Sequence, residues 1–292
     1  MELREALATV RKRLAQVFDF DFTVDLGSLK PAPFDLGAAD IDGQLATHES
    51  GLFLGLYDEA GAERGLEESG FLGVVRERVR APVRVRLHPA EGVFRIYRAD
   101  RREGPDALVV ELKVGLERAP SEALRRLGFP PGDHLAIEWM LLQDPGRPFP
   151  PGRRALPGQA HPGLGLGWHV LEMVRRAAER LHCAALVAIP AYYHTAVLYH
   201  RMFAFADPVH EGLFDALMRD LAPLPMTDAA AAVHEGRVRC AVTGKVVRWE
   251  GKEMVLPLGD AVRAYLERPE YGQTAAKMLA DGRFLVSPPV AP

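Results

Sequence analysis

Three glycines alternate with leucines at Gly163, Gly165 and Gly167, directly before an amphipathic helical pattern. Glycine tolerates φ > 0 and close backbone approach, so several N–H groups in such a loop can face one anion. A following helix adds its unpaired N-terminal donors and its dipole, which together make a cradle for phosphate. A tight strand-to-helix connection would use the same residues. Leu171, Val174, Ala178 and Leu181 recur at helical spacing between Trp168 and His182. Ala184 to Ile189 reads as a short buried strand that Pro190 ends, and a second helical pattern runs from about Tyr192 to Met202. The expected order is strand, glycine loop, helix, strand, helix. A dinucleotide fold would need Gly-x-Gly-x-x-Gly and a carboxylate closing the next strand, whereas that strand here ends Ala188-Ile189-Pro190. No Gly-Lys-Ser/Thr follows the loop, which excludes a P-loop.

This segment resembles the GNAT superfamily, the N-acyltransferases that move an acetyl or other acyl group from coenzyme A. Pro162-Gly163-Leu164-Gly165-Leu166-Gly167 matches that family's three loop glycines, with Pro162 standing where the family has a basic or amide residue. Leu171 and Glu172 fall where the family has a leucine and an acid. The family's second motif is matched at Ala196, Leu198, Tyr199, Arg201 and Phe205, while Tyr193 replaces its asparagine and Ala204 its glycine. The resemblance implies acetyl-CoA, or another acyl-CoA, as co-substrate. It places the pyrophosphate on Gly163, Leu164, Gly165, Leu166, Gly167 and Trp168. It also implies that Tyr199 protonates the departing thiolate; as a packed core aromatic, Tyr199 would instead bury its ring and find a partner for its hydroxyl.

His134 to Gln143 reads as a long strand, and under the resemblance it precedes the phosphate loop. Glu138 is its one carboxylate, on a face with Ala136, Met140 and Leu142. An acid on an apolar face has a raised pKa and can take a proton from an amine; a paired structural acid is the alternative. Residues 144–158 hold five prolines together with Arg147, Arg153 and Arg154. A connection of that length is a candidate lid, or a source of cations for phosphates.

Elsewhere the reading is coarser. Leu3, Leu7, Val10, Leu14 and Val17 form one stripe of a helix over 1–17. Residues 18–26 alternate as a half-buried strand, 52–57 read as a strand, and 62–80 as a helix weakened by glycines. After Pro82 a meander is expected over 83–87, 93–97 and 108–116, with Arg84, Arg86 and Arg95 on one face. A short helix over 121–127 starts at the N-cap candidate Ser121. Beyond Phe205, helices are expected at about 210–221, 260–267 and 273–280, and strands over 233–247 and 247–256 around a turn at Glu250-Gly251.

The chain has 292 residues and a net charge of −3, which leaves no basic footprint for nucleic acid. No apolar run nears the roughly 18 residues of a membrane span. Cys183 and Cys240 form no disulfide framework, and with no secretory leader in the reading the expected location is cytoplasmic. The histidines show no ligand spacing, so no metal is expected. The expected fold class is α+β: a GNAT-like central mixed sheet flanked by helices. A β-rich region (1–130) precedes a coenzyme-binding core (131–215), and a small α+β extension (216–292) follows. The expected activity is acyl transfer to a small-molecule or peptide amine. A non-catalytic coenzyme- or nucleotide-binding sensor is the alternative, and a homodimer is an open arrangement.

Overall fold

The computed structural model describes residues 51–288. The helix expected over 1–17 and the strand over 18–26 lie outside them. Two helices come first, α1 (Glu59–Glu68) and α2 (Phe71–Val79). The single helix expected over 62–80 is split because Gly70 adopts φ 76° between them, a left-handed turn that glycine takes without strain. Residues 52–57 form a tight turn closed by a Phe53–Tyr57 bridge, not the expected strand; Leu54 and Gly55 both have positive φ there.

Strands β1 (Val83–His88), β2 (Val93–Arg98), β3 (Leu108–Glu117) and β4 (His134–Leu142) form an antiparallel meander. Alternation decides their faces. Val83, Val85, Ile96, Val110 and Val114 are buried with Leu72 and Val75 of α2. Arg84, Arg86 and Arg95 point the other way, but they form no basic patch. Arg86 bonds Glu59 and Glu103 at 2.9 Å each, Arg95 bonds Glu111 at 2.5 Å, and Arg84 lies 3.7 Å from Glu103. Helix α3 (Glu122–Arg126) begins at Ser121, whose hydroxyl accepts the Leu124 N–H.

From β4 the chain crosses through α4 (Gly167–Arg180) to β5 (Ala185–Ala188), which pairs parallel to β4. Val170, Leu171, Val174 and Ala178 form the buried stripe of α4. Glu172 holds Arg175 at 2.7 Å and Arg176 at 3.0 Å on its exposed side. Then come α5 (Tyr193–Tyr199), β6 (Ala204–Phe205), α6 (Pro208–Leu221) and α7 (Met226–His234). The chain ends with β7 (Val238–Cys240), β8 (Met254–Pro257), α8 (Asp260–Leu266), α9 (Pro269–Asp281) and β9 (Phe284–Val286).

The result is a mixed α+β fold with a seven-stranded sheet in the order β1-β2-β3-β4-β5-β8-β6, flanked by helices; β7 and β9 pair separately. One core fills the face under α2 and α4. A second, with Val187, Val255, Val262 and Tyr265, fills the opposite face under α3 and α8. The hairpin expected around Glu250-Gly251 does not form. Residues 226–234 are helical instead, and β8 inserts between β5 and β6. The boundary expected at 215/216 therefore marks no break: the last quarter of the chain supplies an interior strand. Among the described residues, no helix is long and apolar enough to cross a membrane.

Helices α6 and α9 approach closely at Gly212, where an added methyl would sit 2.7 Å from Met278 Cβ and closer still to the Ala275 carbonyl. Overpacking at a fixed backbone contact is costly, so Gly212→Ala is expected to destabilise the protein by about 1–3 kcal/mol. Urea denaturation of the variant beside the parent measures this.

Candidate functional site

Parallel pairing of β4 with β5 lasts four residues, from His134↔Ala185 to Ile137↔Ala188. Two features end it. On β4 the register to β3 slips, with Val114 opposite Ile137 and Lys113 opposite Trp139, so Glu138 is an extra, unmatched residue. Such a bulge bends its strand. On the other side Pro190 follows β5 and has no N–H to extend a ladder. Beyond these points the strands part, and a cavity of about 600 Å³ fills the opening. Its walls come from Ile137 to Leu142, Ile189 to Tyr192, the glycine loop and α5.

The glycine loop is fixed by β4. Gly163 bridges Gln143, the Asp144 N–H donates to the Pro162 carbonyl at 2.8 Å, and Leu164 N reaches Leu142 O at 3.4 Å. Leu164 and Leu166 are buried and anchor the turn. Gly165 has φ 72°, a conformation that β-branched residues do not adopt without strain. At Gly167 a methyl would press on Leu198 Cδ2 at 3.3 Å. Among the described residues no side chain caps α4, and its first turn holds no acid, so its terminal donors and dipole are left for another partner. Gly163, Leu164, Gly165 and Gly167 line the cavity; Leu166 and Trp168 are not among its walls.

The arginines of the proline-rich connection divide. Arg147 is held by Asp144 at 2.5 Å and Arg154 lies 3.5 Å from Asp228. Arg153 lines the cavity and has no carboxylate partner among the described residues. The connection itself is pinned at Asp144, which is fully buried and also faces Arg98 at 3.8 Å.

Tyr199 is buried in the cavity wall with its ring stacked on Phe203 at 5.5 Å. Burial pushes its phenol pKa up, so it keeps its proton at neutral pH. Glu138 also lines the cavity, but the apolar setting expected for it is not found. Its side chain is 45% exposed and pairs with Lys113 at 2.5 Å. The bulge is the reason: the extra residue breaks the alternation by which Glu138 would share a face with Ala136 and Met140.

Two further groups stand at the cavity wall. His194 lines the cavity, its ring stacked on Tyr192 at 5.4 Å, with Nδ1 buried and without a hydrogen-bond partner. Burial, with like-charge repulsion from His234, pushes its imidazole down to about 4. The second is a cluster. His200 Nε2 lies 3.1 Å from Glu211 Oε1 and 3.7 Å from Asp215 Oδ1. Glu211 Oε2 accepts the Phe205 N–H at 2.9 Å. The three groups offer ligand atoms within 4.8 Å of one another, a geometry that can hold a cation, against the expectation of no metal-binding set. A search for paired histidines passes it over; the signal is Glu211 and Asp215 one helical turn apart on α6. The cluster also ties the end of α5 to β6 and α6.

His194 gives the fold a pH dependence. Its pKa falls from 6.5 to about 4 on folding, so between those values the unfolded chain binds the extra proton. Its neutral form is fully accommodated above pH 6.5, and stability is lost as pH drops toward 4. His194→Gln is expected to lose less unfolding free energy than the parent between pH 7 and pH 5, by up to about 2 kcal/mol. Parallel urea titrations at the two pH values measure the difference.

In comparisons with known proteins, no family model, no curated protein and no solved structure matches this chain.

Proposed function

We propose that this protein transfers an acyl group from acyl-CoA to an amine. The observation that carries the reading is the meeting of three features in one cavity: parted strands β4 and β5, a glycine loop at an uncapped helix N-terminus, and a protonated phenol at Tyr199. The loop backbone and Arg153 offer donors and charge for a pyrophosphate. Beyond Ile137, β4 has no β5 partner, so its backbone groups on that side are open to an extended amide-bearing arm.

In the proposed step the amine nitrogen bonds to the thioester carbonyl carbon. The carbon–sulfur bond then breaks, and its electron pair leaves with sulfur. Tyr199 donates a proton to the thiolate, and Glu138, directly or through water, takes the proton lost by nitrogen. Holding both reactants in one cleft supplies much of the acceleration. The Glu138–Lys113 pair favours a second reading, in which the cleft binds coenzyme or nucleotide without turnover, because a carboxylate oxygen already paired with an ammonium is not free to receive the amine's proton.

Acetyl-CoA at a hundredfold excess over its dissociation constant is expected to stabilise the protein by about 2.7 kcal/mol, read as a raised melting midpoint. Gly165→Val, strained at φ 72°, is expected to lose that shift. A shift with NAD and none with acetyl-CoA would end the acyl-transfer reading.

Tyr199→Phe separates acid from packing residue. Phenylalanine keeps the ring on Phe203, so the melting midpoint and acetyl-CoA affinity should stay near those of the parent. Loss of a general acid lowers turnover by about 10²–10⁴-fold. Thiol release with an amine panel measures it; full turnover in the variant removes the acid role, and tight coenzyme binding without turnover in the parent supports the binder.

A further inference from the structure

The cavity walls carry their charge unevenly. The carboxylate among them, Glu138, is engaged by Lys113 at 2.5 Å. Two arginines, Arg153 and Arg201, line the cavity without a carboxylate partner among the described residues. Much of the remaining wall is apolar, with Met140, Leu156, Val197, Leu198, Met218 and Met226.

The mouth is apolar as well. Trp139 stands two residues past the last β4–β5 pair and Ile189 one residue past it, on the two strands that part. They are 48% and 55% exposed, and both line the cavity. Large apolar side chains left in water at a cavity mouth mark a surface that a ligand covers. An indole also prefers another ring, stacked or edge-on. A cation could sit on the face of Trp139, but the other charges of a polycation would then lie against apolar wall such as Met140, Leu156 and Val197, with Glu138 already paired to Lys113.

We infer that the acceptor is a monoamine on an apolar aryl or arylalkyl frame, seated against Trp139 and Ile189, and not a polycation. This rests on the acyl-transfer reading above. The coenzyme's phosphates occupy the arginine-bearing part of the cavity, and the amine enters across the apolar mouth. Its nitrogen forms the new bond to the acyl carbon and gives up a proton to Glu138, sulfur leaves with its electron pair and takes a proton from Tyr199, and the product released is the neutral amide.

The test compares 2-phenylethylamine with spermidine and kanamycin, each with acetyl-CoA, by thiol release. 2-Phenylethylamine is expected to have kcat/KM at least about tenfold higher than either polycation. Trp139→Ala is expected to raise KM for 2-phenylethylamine by about tenfold while KM for acetyl-CoA stays within about twofold, and Trp139→Phe to recover most of the loss. Preference for spermidine or kanamycin, or an unchanged KM in Trp139→Ala, overturns the inference. If acetyl-CoA neither raises the melting midpoint nor releases thiol with any amine, the acyl-transfer reading fails instead. Calorimetry with 2-phenylethylamine alone then decides the apolar site: heat lost in Trp139→Ala sustains it, and no binding to the parent overturns it.

Discussion

Everything distinctive in this fold depends on a parallel strand pair that stops after four residues. A sheet gains from continued pairing, because each unpaired backbone group left in a dry place is costly. Here the pairing is broken from both sides, by an unmatched Glu138 on β4 and by Pro190 after β5. The strands cannot close again, so their edges face a cavity instead of each other. Function, on the reading proposed, is the use made of that interruption: a ligand with amide groups can supply the partners that β5 does not.

The helix that follows the glycine loop is positioned by the same strand. Leu142, Gln143 and Asp144 receive the returning chain at Leu164, Gly163 and Pro162. This fixes the start of α4 relative to the opening, and the buried Leu171 and Val174 fix its roll against the sheet. Asp144 secures the turn from the other direction. It is fully buried with Arg98 and Arg147 as counter-charges, and its Oδ1 accepts the Gly146 N–H at 2.9 Å. Removing one partner of such a buried pair costs far more than the pair contributes, so the acid acts as a fixed point for the proline-rich connection.

The centre of the chain was legible in its sequence because local rules and tertiary packing agree there. Residues 134–143 alternate and become β4, the stripe from Leu171 to Ala178 becomes α4, and Ser121 caps its helix as its chemistry predicts. The glycine loop sits at the cavity because Gly163 bridges Gln143 at the end of β4, beyond the point where that strand has parted from β5. What failed to show were features set by partners distant in sequence. No periodicity announces that Lys113 will lie beside Glu138, or that the register will slip at that residue. The strand expected over 52–57 fails because Leu54 and Gly55 turn left-handed, and apolar character alone does not encode φ. Residues 226–234 were missed as a helix because four successive alanines carry weak amphipathic signal, although alanine is the best helix former.

The C-terminal part of the chain is integral to the cleft for a reason that lies in β5. Its four residues are all buried, on both faces of the sheet, and such a strand needs a neighbour on each side. β4 supplies one and β8 the other, with Val187 opposite Val255. Left as an edge, β5 would present its unpaired groups to solvent or to another chain. The residues leading into β8 also hold the lip of the cavity. The Trp249 indole N–H donates to the Pro190 carbonyl at 3.0 Å. Gly251 lies so near that a methyl there would meet Ile189 Cγ2 at 2.7 Å. The turn after β5 is thus held from outside by a segment more than fifty residues later in the chain, while Met218 and Met226 line the cavity from α6 and α7. A cleft made by parting two strands must be kept from collapsing, and in this chain that restraint comes from the far end of the sequence.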